Sequence, residues 1–252
     1  MRSYTIANIK GGSGKTTVAV NLAAGLALSG RKVVLFDLDP QGASTHYLLA
    51  RSSNGNLADC LAADKKLEDV LSETLVSGLS VAPGGRTLAA FDNGARPTRE
   101  RLVHLLSQVS SDTDFVFVDT PPTWGSLLMA SLASTEGVLV PVATRELDLR
   151  MLHILQEVID QVRRHRNPQL RLAGIIPNRT TRTRLSAKIE ANINETYGSN
   201  VYPSIRENVR LAESGGFHAP IQIASPSSTG ALDFESLTQK FLEREGIQPS
   251  YQ

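Results

Sequence analysis

Eight residues near the start of the chain, Lys10-Gly11-Gly12-Ser13-Gly14-Lys15-Thr16-Thr17, sit between a β-prone segment, Tyr4-Thr5-Ile6-Ala7-Asn8-Ile9, and an Ala/Leu/Val-rich run from Val18 to Leu28 that stops before Gly30. A strand that turns through glycines directly into a helix is half of a strand–helix–strand unit, and so demands an alternating α/β architecture. Glycines lack Cβ, which lets backbone N–H groups close around a polyanion at the positive end of the following helix. Lys15 adds a point charge suited to β- and γ-phosphates, and the hydroxyl of Thr16 stands where a Mg²⁺ bridging those phosphates would be ligated. Gly11, Gly12, Ser13, Gly14, Lys15, Thr16 and Thr17 are therefore the expected phosphate contacts. The spacing departs from an ordinary Walker A loop, because Ile9 stands where a glycine is usual and an extra lysine, Lys10, opens the motif.

The rest of the chain repeats the alternation. Short apolar runs at Val33 to Phe36, Leu79 to Ala82, Phe115 to Val118, Val138 to Val140 and Leu172 to Ile176 read as buried parallel strands. Helical patterns fall between them at Thr98 to Val109, Ser126 to Ala133, Leu147 to His165 and Thr183 to Tyr197, and Ser225-Pro226-Ser227-Ser228 introduces a last helix from about Gly230. Gly84-Gly85 and Asn93-Gly94 mark loops, and nothing has the composition of an interdomain linker. The expected fold is a doubly wound, mostly parallel sheet flanked by helices, of the P-loop NTPase type, with residues 1–252 as one domain and no N-terminal helix-turn-helix domain.

In such a sheet ligands gather at the carboxyl ends of strands, so an acid directly after a buried strand is a site candidate. Phe115-Val116-Phe117-Val118 ends in Asp119-Thr120-Pro121-Pro122, the form of a Walker B segment, whose aspartate orients Mg²⁺, often through water. Val33-Val34-Leu35-Phe36 ends in Asp37-Leu38-Asp39-Pro40-Gln41-Gly42, giving two carboxylates that address different partners. Asp37 is expected to support the metal or the loop from behind. Asp39 is expected to position and polarise an attacking water more than to serve as a strong base.

Taken in order, the Lys10 to Thr17 loop, Asp37-Leu-Asp39-Pro-Gln41-Gly, Val118-Asp119-Thr-Pro-Pro122 and Asn208-Val-Arg210-Leu-Ala-Glu213 resemble the ParA-type partition ATPases across nearly the full chain. The resemblance implies an ATP- and Mg²⁺-dependent ATPase, slow by itself and stimulated by a ParB-like or cargo-adaptor protein. It also implies an ATP-dependent homodimer in which Lys10 reaches the partner's nucleotide. Asp39 takes the water-activating position, and Asn178, after Gly174-Ile175-Ile176-Pro177, the position whose amide recognises adenine, although an asparagine in a turn would read the same. Two departures stand out: Arg145 replaces a glutamate common in the stretch after Pro141, and Arg206-Glu207 replaces a Pro-Arg ahead of Asn208.

A net charge of +1 predicts nothing about nucleic acid, yet residues 161–210 hold ten Lys/Arg against three Glu. Clustered arginines suit a polyanion contact that is salt-sensitive and indifferent to sequence. With the resemblance, Arg182, Arg184, Arg206 and Arg210 become candidate contacts to nonspecific double-stranded DNA, and the expected location is cytoplasmic and nucleoid-associated. A lone cysteine, Cys60, cannot form an intrachain disulfide, in keeping with a reducing compartment. The segment Leu237 to Glu245 mixes acids and bases, which disfavours a membrane-cycling division-site ATPase of the MinD type, and no membrane contact is expected. A metabolic P-loop ligase or synthetase would require a second constellation for its substrate. The cargo, whether chromosome, plasmid or protein organelle, has no motif of its own.

Overall fold

The apolar runs become the strands of one eight-stranded sheet. In the computed structural model, which describes residues 1–49, 54–92 and 98–248, the strands are β1 (Arg2–Ile6), β2 (Val33–Asp37), β3 (Ser72–Glu73), β4 (Leu79–Ala82), β5 (Phe115–Asp119), β6 (Gly137–Ala143), β7 (Arg171–Thr180) and β8 (Ile205–Arg206). Their order is β3-β4-β2-β5-β1-β6-β7-β8, and every pairing is parallel except β3 with β4. The sheet is thus mostly parallel, as the alternating pattern requires. The chain leaves β1 between β5 and β6, which run on opposite sides of it, so the strand order diverges at the loop after β1.

The helices are α1 (Lys15–Leu28), α2 (Ala43–Leu48), α3 (Leu57–Ala62), α4 (Leu67–Val70), α5 (Thr98–Ser107), α6 (Ser126–Ser134), α7 (Glu146–His165), α8 (Arg184–Tyr197), α9 (Val209–Ser214), α10 (Ile221–Ala224) and α11 (Thr229–Arg244). Alternate residues along the central strands point to opposite faces and enter different cores. Leu35, Phe115 and Phe117 pack with α1 and α11, while Val34, Phe36, Val116 and Val118 pack with α3 and α5. A third cluster joins Val138, Val140 and Val142 to Leu152, Leu155, Ile159 and Val162 of α7. Helix α1 is buried almost throughout from Val18 to Ala27, because α11 covers the side that the sheet does not, and this explains a run apolar on every side.

Element ends differ from the sequence expectation in ways that shape the site. Strand β1 stops at Ile6, and beyond it the chain stays tied to β6, with Ala7 N donating to the Leu139 carbonyl at 3.0 Å and the Asn8 side chain to the Pro141 carbonyl at 2.7 Å. Helix α1 begins at Lys15, three residues before the apolar run, so the loop's own Lys-Thr-Thr forms the first helical turn. Strand β7 runs on to Thr180, which puts Asn178 inside a strand, where the sequence allowed a turn. Gly84-Gly85 lies between β4 and a 3₁₀ turn, and the Asn93-Gly94 loop expectation falls outside the described residues. The short elements α2 to α4, β3 and β8 carry too few residues for a periodic signal. Among the described residues, no helix is long and apolar enough to cross a membrane.

Candidate nucleotide and metal site

The N-terminus of α1 is built to be left open. Its N-cap is Gly14, with no side-chain cap and no acidic residue in the first turn, so its orphan N–H groups remain available to an anion. Gly14 holds φ 90°, and a Cβ built there would fall 1.9 Å from Asn178 Nδ2. That amide donates to the Ser13 carbonyl at 2.8 Å, so the end of β7 pins the loop from behind. Ser13 Oγ is buried without a hydrogen-bond partner in the loop itself. The Lys15 side chain is buried here, and burial holds its ammonium below the ordinary lysine range, against the opposing pull of Asp119 and Asp39.

Two carboxylates meet where β2 and β5 end. Asp37 and Asp119 are partners in the ladder register, and both are fully buried. Asp119 Oδ2 accepts hydrogen bonds from Thr16 Oγ1 at 2.8 Å and Ser44 Oγ at 2.7 Å, while Oδ1 is buried with no partner. Asp37 Oδ2 accepts from Thr45 N at 2.7 Å and Thr45 Oγ1 at 2.6 Å, and Oδ1 from Asp39 N at 3.3 Å. Both oxygens of Asp37 are therefore spent on holding the segment that carries Asp39 and α2. Asp39 is buried in its turn, with Oδ1 accepting from Gln41 N at 2.8 Å.

Burial pushes the Asp37 carboxyl up to about 7, reinforced by Asp119 and opposed by the Thr45 bonds. Burial likewise lifts Asp119 to about 6, and Asp39 adds to this against the hydroxyls of Ser44 and Thr16 and the charge of Lys15. A free carboxylate oxygen, an adjacent hydroxyl and uncompensated negative charge fit a hard divalent cation bound through oxygen. Thr16 and Asp119 are the residues that could hold it, whereas the hydrogen bonds of Asp37 go to Asp39 and Thr45 and not to either of them.

Lys10 takes another direction. Its backbone N–H donates to Asn8 Oδ1 at 2.9 Å, and its ammonium pairs with Asp148 Oδ2 in the first turn of α7. Asp148 is 1% exposed and its Oδ1 has no partner, so Lys10 neutralises a carboxylate that water barely reaches. Sequence reasoning missed this acid, because an aspartate at a helix start carries no local signal that distinguishes it from an ordinary solvated one. Arg145 is exposed at the N-cap of α7.

Beside the loop opens a cleft of about 410 Å³, lined by Gly12, Gly14, Thr17 and Asn178 on one side and by Arg206 to Val209 on the other. Asn178 thus lies at the cleft wall, with Oδ1 accepting from Arg179 N at 2.9 Å. The candidate basic residues divide by environment. Arg182 and Arg184 are exposed at the start of α8, Arg210 pairs with Glu213 at 3.1 Å, and Arg206 is committed to Asp233 with Nε at 3.0 Å from both carboxylate oxygens.

This arrangement of open helix end, buried lysine and strand-end carboxylates has close parallels. Residues 1–172 match the model of the AAA domain family. The chromosome-partitioning ATPase Soj of Thermus thermophilus is 36% identical over 250 residues, which cover 97% of this chain and 96% of Soj. The chain belongs to the ParA/MinD superfamily of P-loop ATPases. Among solved members, the septum site-determining protein MinD of Pyrococcus horikoshii, complexed with Mg-ADP, superposes with a TM-score of 0.84 at 25% identity, covering 97% of each chain. Cobyrinic acid a,c-diamide synthase of Mycobacterium smegmatis, with bound ADP and magnesium, gives a TM-score of 0.83 at 27% identity and covers 97% of this chain and 95% of its own. ATP and Mg²⁺ are accordingly the cofactors of the ParA/MinD-type site described above.

Proposed function

We propose that this ATPase is a dimerising switch that binds DNA nonspecifically in its ATP state and positions a cargo, whether chromosome, plasmid or protein organelle. The observation that carries the reading is the direction of Lys10. A cation at the lip of the phosphate loop that pairs with Asp148 of α7, and among the described residues with no acid of its own subunit's phosphate site, can exchange that carboxylate for a neighbouring subunit's phosphates.

The residues divide the work. The open end of α1 and Lys15 bind the phosphates of the subunit's own nucleotide, and Asn178 closes the cleft where the base would lie, with a second amide hydrogen and a second lone pair still available to adenine. When bound by Thr16 and Asp119, Mg²⁺ neutralises charge on the phosphates. Asp39 positions the attacking water, and Asp37 keeps Asp39 in place. Lys10 of the partner subunit completes the site, so hydrolysis competence depends on the dimer. A ParB-like or adaptor protein stimulates turnover, and release to ADP ends DNA binding. The high identity with Soj over nearly the whole chain favours this over a small-molecule synthetase.

The test is binding to nonspecific duplex DNA with ATP, with ADP and without nucleotide, each at two salt concentrations. Binding with ATP alone, weakening steeply with salt, is expected. Absent or nucleotide-independent binding overturns the proposal. The exposed Arg182 and Arg184 are the first candidates for the contact, and replacing both with alanine should flatten the logarithmic salt slope by about two for each subunit in contact, while leaving basal hydrolysis intact. Arg206 is the weakest candidate, because Asp233 already holds its guanidinium.

A further inference from the structure

The nucleotide cleft contains an arginine that none of its motifs accounts for. Arg179 adopts a left-handed backbone, φ 52°, a conformation that non-glycine residues occupy at a cost. Its side chain offsets that cost through contacts on two separate loops. Nη1 donates to the Gly12 carbonyl at 3.3 Å and Nη2 to Glu207 Oε1 at 3.1 Å. Gly12 belongs to the phosphate loop, whereas Glu207 lies between β8 and α9, and all three residues line the cleft. The guanidinium therefore bridges the two walls of the cavity that a nucleotide occupies.

We propose that Arg179 is a nucleotide-positioning residue: a cation supplied in cis to the phosphates of a nucleoside di- or triphosphate, which Glu207 holds in check when the cleft is empty. The proposal rests on reading this cleft as the ATP site. A guanidinium has five N–H donors in a planar fork suited to phosphate oxygens, and only two are engaged here. The Arg179 and Glu207 side chains are 42% and 49% exposed, so their ion pair is weak and readily exchanged. Arriving polyphosphate offers a denser negative charge on the Gly12 side of the bridge. As the guanidinium turns to it, Glu207 loses its partner, and the 206–209 segment is released to settle over the base.

Affinity for a fluorescent ATP analogue and for ADP, with Mg²⁺ present and folding checked by thermal melt, tests this. Arg179→Gly keeps the left-handed backbone without strain, so a folded variant is expected, with affinity lowered roughly tenfold. Glu207→Gln should tighten binding, and the gain should vanish in the Arg179→Gly/Glu207→Gln double variant. Affinity for Arg179→Gly within about twofold of the parent, or a Glu207→Gln gain that survives in the double variant, overturns the proposal. If the parent protein itself binds neither nucleotide, the site reading falls as well. A parent that binds, and loses binding in Lys15→Ala, isolates a failure to Arg179.

Discussion

Lys10 and Asp148 show how much a single residue's meaning depends on its partner. Asp148 is 1% exposed, and Lys10 is the one cation seen to pair with it among the described residues. Lys10→Ala therefore strands a buried carboxylate and should destabilise the monomer by about 3 kcal/mol in a denaturant titration, in addition to abolishing turnover. Adding Asp148→Asn should restore most of the stability but none of the turnover. Recovery of turnover in the double variant would remove Lys10 from the catalytic machinery. Gly14 is a second sensitive position. Alanine there would need both an unfavourable positive φ and space that Asn178 Nδ2 occupies, so Gly14→Ala should weaken ATP binding more than tenfold and lower the melting temperature.

At the level of elements, the parallel register of β2 and β5 creates the carboxylate pair. Asp37 and Asp119 are opposed at the strand ends, where burial raises both, with repulsion from Asp119 adding to Asp37 and repulsion from Asp39 adding to Asp119. The folded state holds their protons more tightly than the unfolded chain, whose aspartates titrate near 3.8. Their contribution to stability is thus fully present below about pH 4 and is lost as pH rises through about 6 to 7. Comparing the nucleotide-free protein with Asp37→Asn, the melting temperature of the parent should fall relative to the variant across that window. Parallel curves would mean that the pair is already relaxed by water. Elsewhere, α11 is joined to the sheet through Phe241, which is fully buried against Tyr4, Phe115 and Phe117 with ring centroids 5.2 to 5.8 Å apart. Phe241→Ala should cost about 3–5 kcal/mol, measured by chemical denaturation.

For the whole molecule, the strand order gathers the phosphate loop, both carboxylate segments and Asn178 at the carboxyl ends of the parallel strands. Ligand binding there should stabilise the fold as a unit. ATP with Mg²⁺ at about a hundred times its dissociation constant should add roughly 2.7 kcal/mol to unfolding. Chelating Mg²⁺ should remove most of this gain, since unneutralised phosphate would face Asp119 Oδ1. Equal stabilisation by ATP with and without Mg²⁺ would show that Asp119 does not hold the metal.

The long elements were legible because their signals are local. Five apolar runs announced five strands, and the helical pattern from Leu147 to His165 announced α7. Placement of Thr16 at the loop, and of Asp37 and Asp119 at strand ends, followed from covalent spacing alone: a strand, a turn and a helix of fixed geometry leave few positions for the side chains between them. Chain-distant partners were not legible. Asp148 lies 138 residues from Lys10, Asn178 lies 165 from Ser13, and Glu207 meets Arg179 only because β8 pairs with β7. Arg206 read as one basic residue among ten until folding gave it Asp233. The phosphate loop, the strand-end acids and the kind of fold were readable from the chain alone, because each is written within one strand–turn–helix segment. Which charges are free and which are held emerged with folding, because that depends on which strands become neighbours and how deeply their ends are buried.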